Sequence, residues 1–289
     1  MARRRPALSA RIAYVISAYK YPDQLGRLVR RLSTPNASFF IHVDRKTFAR
    51  VFRAMVEQTK DVPNVRFLPR HVCHWGGFGH VRASLKGLSG AIEGDVPFDY
   101  LVLLTGQDYP LRSATEIEDY LGNAGGLSFM NHWPLPHAPW GKRGGLERLE
   151  DWHLVTFFRA HVALPLRRNL PGDLVPYGGG AYWCFSRQLA EYVDDFVTRN
   201  PGYVHFFEHA LIPDEHFFHT IVLNSPLRET VVNDNLRFID WSEVPGPTVL
   251  RMEHLPQLLD SGKLFARKFD AGVDAHILEA LDRRIVEGR

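Results

Sequence analysis

The chain has 289 residues, 45% of them hydrophobic and 12% aromatic, enough to bury one sizeable core. A net charge of +3, spread along the sequence, excludes the one-sided basic face of a nucleic-acid binder. It leaves open a local pocket for a phosphorylated ligand and a weak peripheral attraction to an anionic membrane surface.

The first apolar segment, Ile12–Ala18, follows Arg3, Arg4 and Arg5 and so imitates the start of a signal peptide. It is too short for one, and no small-residue cleavage site follows. No stretch reaches the ~18 consecutive apolar residues of a membrane-spanning helix. The segment reads as a buried first strand, and the protein as soluble and cytoplasmic.

Leu25, Leu28, Val29 and Leu32 then repeat at helical spacing, with Asp23 placed to cap the helix. Strand Ser38–Val43 follows, then a second helix on Val51, Phe52, Met55 and Val56. Next come strand Val65–Leu68, a helix over Val81–Ile92 and strand Tyr100–Leu104. Alternating strands and helices, with strands apolar throughout, predict an α/β fold whose mainly parallel sheet is covered on both faces. Residues 11–125 therefore read as a nucleotide-binding half.

From 126 to 289 the texture changes, and this half is assigned to acceptor binding and catalysis. Residues 131–180 are rich in Trp, His, Pro, Arg and Gly, and Gly178-Gly179-Gly180 leads into Ala181-Tyr182-Trp183-Cys184-Phe185. Helices are predicted over Leu189–Val197, with Ser186 as cap, over Pro213–Leu223 and over Asp274–Ile285. No repeat or linker divides the chain, so 1–289 is expected to be one domain. Cys73 and Cys184 encode neither a disulfide framework nor a zinc site and read as buried small hydrophobes.

Four segments carry chemistry. Strand Ser38–Val43 delivers Asp44 beyond its C-terminal end, where parallel sheets meet ligands. A strand-end turn residue would look the same. Strand Tyr100–Leu104 runs into Thr105-Gly106-Gln107-Asp108 without an Asp-X-Asp pair, and one aspartate is a poor Mg²⁺ or Mn²⁺ site. No metal or other cofactor is expected. Arg267-Lys268, set between Phe265 and Phe269, are cations suited to a leaving diphosphate or, equally, a surface pair flanking core rings. In Pro213-Asp214-Glu215-His216, acidic residues at a helix start are ordinary dipole chemistry, and Glu215 is also a candidate base.

Taken in order, Ile41-His42-Val43-Asp44, Trp75-Gly76-Gly77, Gly106-Gln107-Asp108-Tyr109-Pro110, Pro213-Asp214-Glu215, Asp240-Trp241 and Phe265-Ala266-Arg267-Lys268-Phe269 form one pattern. It resembles the core-2/I-branching β-1,6-N-acetylglucosaminyltransferase family, which includes peptide O-xylosyltransferases. The resemblance runs from Ile12 to about Leu281. It implies a GT-A-type fold and an inverting, metal-independent glycosyltransferase moving N-acetylglucosamine or xylose from a UDP-sugar to a glycan or peptide hydroxyl. It implies Glu215 as general base, Asp44 on the nucleoside, and Ile16, His74 and Trp75 along the uridine. Arg267 and Lys268 match the basic residues on the diphosphate, and Asp240 and Trp241 an acceptor-side pair of the xylosyltransferase branch.

Branching enzymes carry a further diphosphate arginine where this chain has Pro245-Gly246-Pro247; Arg251 and Arg237 are the substitutes on offer. Around the acceptor, Trp133, Trp140, Tyr182, Trp183 and Trp241 offer rings for sugars, and Arg143 and Arg148 offer hydrogen bonds. Arg143, Trp183 and Trp241, together with Asp240, are the acceptor-binding choices. Two other readings are a peptide O-xylosyltransferase specifically and a non-catalytic nucleotide- or carbohydrate-binding protein on the same scaffold. Glycoside hydrolysis ranks last, because Glu215 has no evident second carboxylate ~6.5–9.5 Å away.

Overall fold

A computed structural model describes residues 9–94, 96–155, 161–164, 166–243 and 246–287. The Arg3–Arg5 run and Pro245 lie outside them. The expected α/β architecture is present as a seven-stranded sheet. Its strands are β1 (Ile12–Ala18), β2 (Ala37–Val43), β3 (Val65–Phe67), β4 (Tyr100–Thr105), β5 (Ser128–Met130), β6 (Trp183–Ser186) and β7 (Val231–Val232). Their spatial order is β7-β5-β6-β4-β1-β2-β3. Pairing is parallel except at β6, which runs antiparallel to both β4 and β5.

The central strands are apolar throughout because both faces are covered. On one face Ile12, Tyr14 and Ile16 of β1 pack with Leu25, Leu28 and Val29 of helix α1 (Pro22–Leu32) and with Ile277 and Leu281 of the last helix, His276–Glu287. On the other, Ala13 and Val15 meet Val81 and Leu88 of a helix over Gly79–Ile92 and Leu189 and Val193 of one over Arg187–Arg199. Gly87 fits there because a side chain would collide with Val15. Ser186 caps its helix as expected, accepting from the Leu189 amide (3.4 Å).

Two local expectations change. Asp23 is not the cap of α1: Tyr21 holds that position in a left-handed conformation, while Asp23 sits in the first turn and accepts from Gln58 (2.7 Å). The predicted helix Pro213–Leu223 is two pieces, a 3₁₀ turn Pro213–Glu215 and an α-helix Phe217–Leu223. His216 breaks them apart at φ −135°, so Glu215 is presented from a separate turn.

A smaller sheet sits past the C-terminal end of β4. Arg237–Ile239 pairs in parallel with Phe265–Arg267, which pairs antiparallel with Tyr109–Pro110. This register brings the residues around Asp108, Arg237 and Arg267 together. No helix among the described residues is long and apolar enough to cross a membrane.

Candidate active site

Where the parallel strands end, their loops converge. Asp44 follows β2, and its carboxylate caps the turn by accepting from the Lys46 amide (2.9 Å) and pairs with the Lys46 ammonium (3.2 Å). The Cys73 amide also points at it (3.4 Å), tying Asp44 to the segment that carries His74 and Trp75. His74 is half-buried, whereas Trp75 is 56% exposed and free to cover a planar ligand. Ile16 is not part of this surface. It lies inside β1, fully buried between Ile41 and Leu104, so its side chain reaches no ligand.

At the end of β4, Asp108 is fully buried and binds the Arg237 guanidinium (2.7 Å) through one oxygen. The other accepts from the Thr105 amide and hydroxyl (both 2.6 Å). Arg237 also donates to the Leu103 carbonyl (2.8 Å) and is buried, so it is locked in place rather than available as a substitute diphosphate ligand. Arg267 lies 4.0 Å from the same Asp108 oxygen, and both guanidiniums stack on Tyr182 (4.3 and 4.4 Å to the ring centre). One carboxylate thus faces two arginines, leaving an excess of positive charge in a desolvated place. Burial pulls the Arg267 guanidinium below its usual pKa, with Asp108 opposing. Lys268 follows, half-buried, with its ammonium in no ion pair among the described residues.

Glu215 is held by the irregular half. Ile212 turns the chain at φ 49° and its amide donates to Gly76 (2.8 Å), joining the Trp75 loop to the Pro213–Glu215 turn. The Glu215 carbonyl accepts from the Gly179 amide (2.9 Å), in the segment that continues to Tyr182. Gly179 must be glycine, since a side chain there would begin 1.9 Å from the Asn131 carbonyl. The Glu215 carboxylate accepts from Arg148 (2.7 Å) through Oε2 only; its side chain is 26% exposed. Burial, reinforced by neighbouring Asp214 and opposed by Arg148, pushes Glu215 up to about 7. Burial likewise lifts Asp214 to about 6.

The acceptor-side expectations divide. Trp183 is a correction: it is fully buried in β6, stacked on Phe185 (4.1 Å), and cannot touch a sugar. Arg143 is spent on Asp151 (3.0 Å) and Glu150, which leaves its guanidinium bracing a loop. Trp241 is 63% exposed beside Asp240. Asp240 borders a cleft of about 580 Å³ shared with Phe238, Ser242, Glu253, His254 and Gln257. Arg148, which the sequence offered as a partner for acceptor hydroxyls or a carboxylate, is the cation on Glu215. Nothing in its local pattern separates it from Arg143.

The described residues bring one set of metal-type ligands together, His42, His71 and Cys73, within 4.8 Å of one another. His42 Nε2 already accepts from the His71 amide (3.2 Å), and the Lys46 ammonium binds the Cys73 carbonyl beside them. A cation on His42 Nε2 would displace the His71 amide and stand close to the Lys46 ammonium, so the cluster reads as hydrogen-bonded packing. A depression lined by Asp99, Tyr100 and Arg187 lies at the opposite end of β4 from these loops.

The family model described as Core-2/I-Branching enzyme matches residues 12–258. The chain belongs to the Core-2/I-branching enzyme family. It is similar to xylosyltransferase 1 of Homo sapiens, 27% identical over 301 residues, covering 96% of this chain and 30% of that protein. Xylosyltransferase 2 of Rattus norvegicus is 29% identical over 297 residues, covering 94% and 33%. The chain therefore spans about a third of the length of these relatives. Among solved structures, 4-diphosphocytidyl-2C-methyl-D-erythritol synthase of Anaerococcus prevotii overlaps 66% of this chain and 75% of its own at 10% identity, with a TM-score of 0.33, too loose a likeness to carry an argument. The matched residues take in the motifs from Ile41-His42-Val43-Asp44 to Asp240-Trp241, and Phe265-Ala266-Arg267-Lys268-Phe269 lies beyond them.

Proposed function

We propose that the chain is an inverting, metal-independent glycosyltransferase of GT-A type that moves a sugar from a UDP-sugar to an acceptor hydroxyl, with Glu215 as base. The observation that carries this is the Glu215 carboxylate itself: partly buried, held at Oε2 by Arg148, and without a hydrogen-bond partner among the described residues at Oε1. A base needs one free oxygen and a pKa near the working pH, and Glu215 has both. Segment 178–182 links it to Arg267 and Lys268, which are suited to the charge that grows on the leaving diphosphate.

The acceptor O–H gives its proton to Glu215 as its oxygen attacks the anomeric carbon. The bond from that carbon to the β-phosphate oxygen breaks on the opposite face, and its electron pair leaves with UDP. Configuration inverts, and Glu215 returns the proton to solvent. Asp44, His74 and Trp75 take the nucleoside, and Asp240 and Trp241 flank the acceptor.

A second reading within this class, xylose transferred to a serine hydroxyl, is favoured by the xylosyltransferase relatives and by Asp240-Trp241. Both readings are tested by assaying UDP release from UDP-xylose, UDP-N-acetylglucosamine and UDP-glucose onto serine peptides and sugars, with and without excess EDTA. The expected result is transfer from one donor, undiminished by EDTA. UDP binding without transfer would favour a non-catalytic binder, and EDTA loss restored by Mn²⁺ would overturn the metal-free chemistry.

A further inference from the structure

Arg148 lies in a one-turn helix, Glu147–Glu150, that is fastened to the chain leading into Glu215. The Arg148 carbonyl accepts from the Leu211 amide (2.8 Å). Arg168 donates to the carbonyls of Leu149 (2.8 Å), Phe206 (2.6 Å) and His209 (3.0 Å), bolting the helix to residues 206–209. The Arg148 guanidinium then stacks on Trp140 (4.4 Å to the ring centre), whose indole stands edge-on to His216 (5.1 Å). Guanidinium and carboxylate are thus carried by one braced unit, and the cation is fixed by an aromatic face before any ligand arrives.

We infer that Arg148 is a positioning residue for Glu215: it grips Oε2 so that Oε1 faces the acceptor. The role rests on Glu215 being the base. Two charged groups face that carboxylate, Asp214 from its own turn and Arg148 from the fastened helix. His216, next in the chain, and His219 are buried, and burial holds both neutral. Without a counter-cation, burial and Asp214 would both act to protonate Glu215. Arg148 is the group that opposes them.

The test is a carboxyl titration of the full chain, ¹³C-labelled at glutamate Cδ and followed by NMR. The Glu215 signal is the one missing from Glu215→Gln, and its midpoint is expected near 7 in the unsubstituted protein. Arg148→Gln should move that midpoint up by roughly one to three pH units. Turnover at pH 7 should fall and partly recover at higher pH, with the donor KM little changed. Arg148→Lys keeps the charge but loses the planar grip. Its midpoint should stay close to that of the unsubstituted protein while kcat falls roughly 10-fold or more.

An unmoved midpoint in Arg148→Gln, or an unreduced kcat in Arg148→Lys, overturns the inference. Should Arg148→Gln fail to fold, the lysine variant decides alone. Glu215→Gln at full turnover would remove the base reading itself. An inactive Glu215→Gln beside an unmoved Arg148→Gln midpoint would remove only the role of Arg148.

Discussion

At the end of β4, Asp108 is enclosed: Arg237 takes one oxygen, Thr105 takes the other twice, and a second arginine stands 4.0 Å off. At the Pro213–Glu215 turn, Glu215 is gripped by one arginine on one oxygen and remains 26% exposed. Both are carboxylates beside arginine, and access separates them: Asp108 is sealed among its partners, while Glu215 keeps one oxygen open. A carboxylate sealed among fixed partners organises its neighbours. One with a lone pair to spare can accept a proton.

That contrast is broken or sharpened by four measurements. The largest effect should come from Glu215→Gln, which keeps shape but cannot take a proton. Turnover should drop by ~10²–10⁴-fold, with UDP affinity by calorimetry unchanged. Asp108→Ala should act instead on stability, by about 3–5 kcal/mol in denaturant unfolding, because it strands two buried cations. If Asp108→Ala unfolds like the unsubstituted protein, the enclosure is not structural. Lys268→Ala should lower kcat/KM by roughly 10²-fold without altering the unfolding midpoint.

The smallest effect concerns stability and pH. The fold raises Glu215 from 4.5 to about 7, so the folded chain holds that proton longer than the unfolded one. The stability it contributes is fully present below pH 4.5 and is lost as pH rises through about 7. Glu215→Gln should therefore be more stable than the parent at pH 8, by about 1–2 kcal/mol after allowing for partial exposure, and no more stable at pH 4. A gain equal at both pH values would place its cause outside ionisation.

Much of this was legible in the sequence. Apolar runs at Ile12–Ala18 and Tyr100–Leu104 announced buried parallel strands, and the order of short motifs announced the family. The site was legible where a residue's type restricts its role, as with a carboxylate following a buried strand. It was illegible where burial decides. Trp183 and Trp241 are the same residue type, yet one is packed inside β6 and the other stands in solvent. Sequence carries a hint for the first, since Trp183-Cys184-Phe185 is an unbroken apolar run of the kind that lies in a sheet interior. Arg143, Arg148, Arg237 and Arg267 likewise look interchangeable until their partners are seen: Arg143 pairs with nearby Glu150, whereas the other three meet carboxylates distant in sequence.

Gly178-Gly179-Gly180 has the look of a loose tether, and its packing says the opposite. A side chain at Gly178 would begin 2.6 Å from Trp140, and one at Gly179 would overlap the Asn131 carbonyl. The stretch behaves as a feeler gauge that sets the gap between the aromatic wall and the turn bearing Glu215. For anyone re-engineering acceptor choice, these glycines are the place to leave alone. On the proposed acceptor reading, variation belongs at exposed Trp241, where shape can change without resetting that gap.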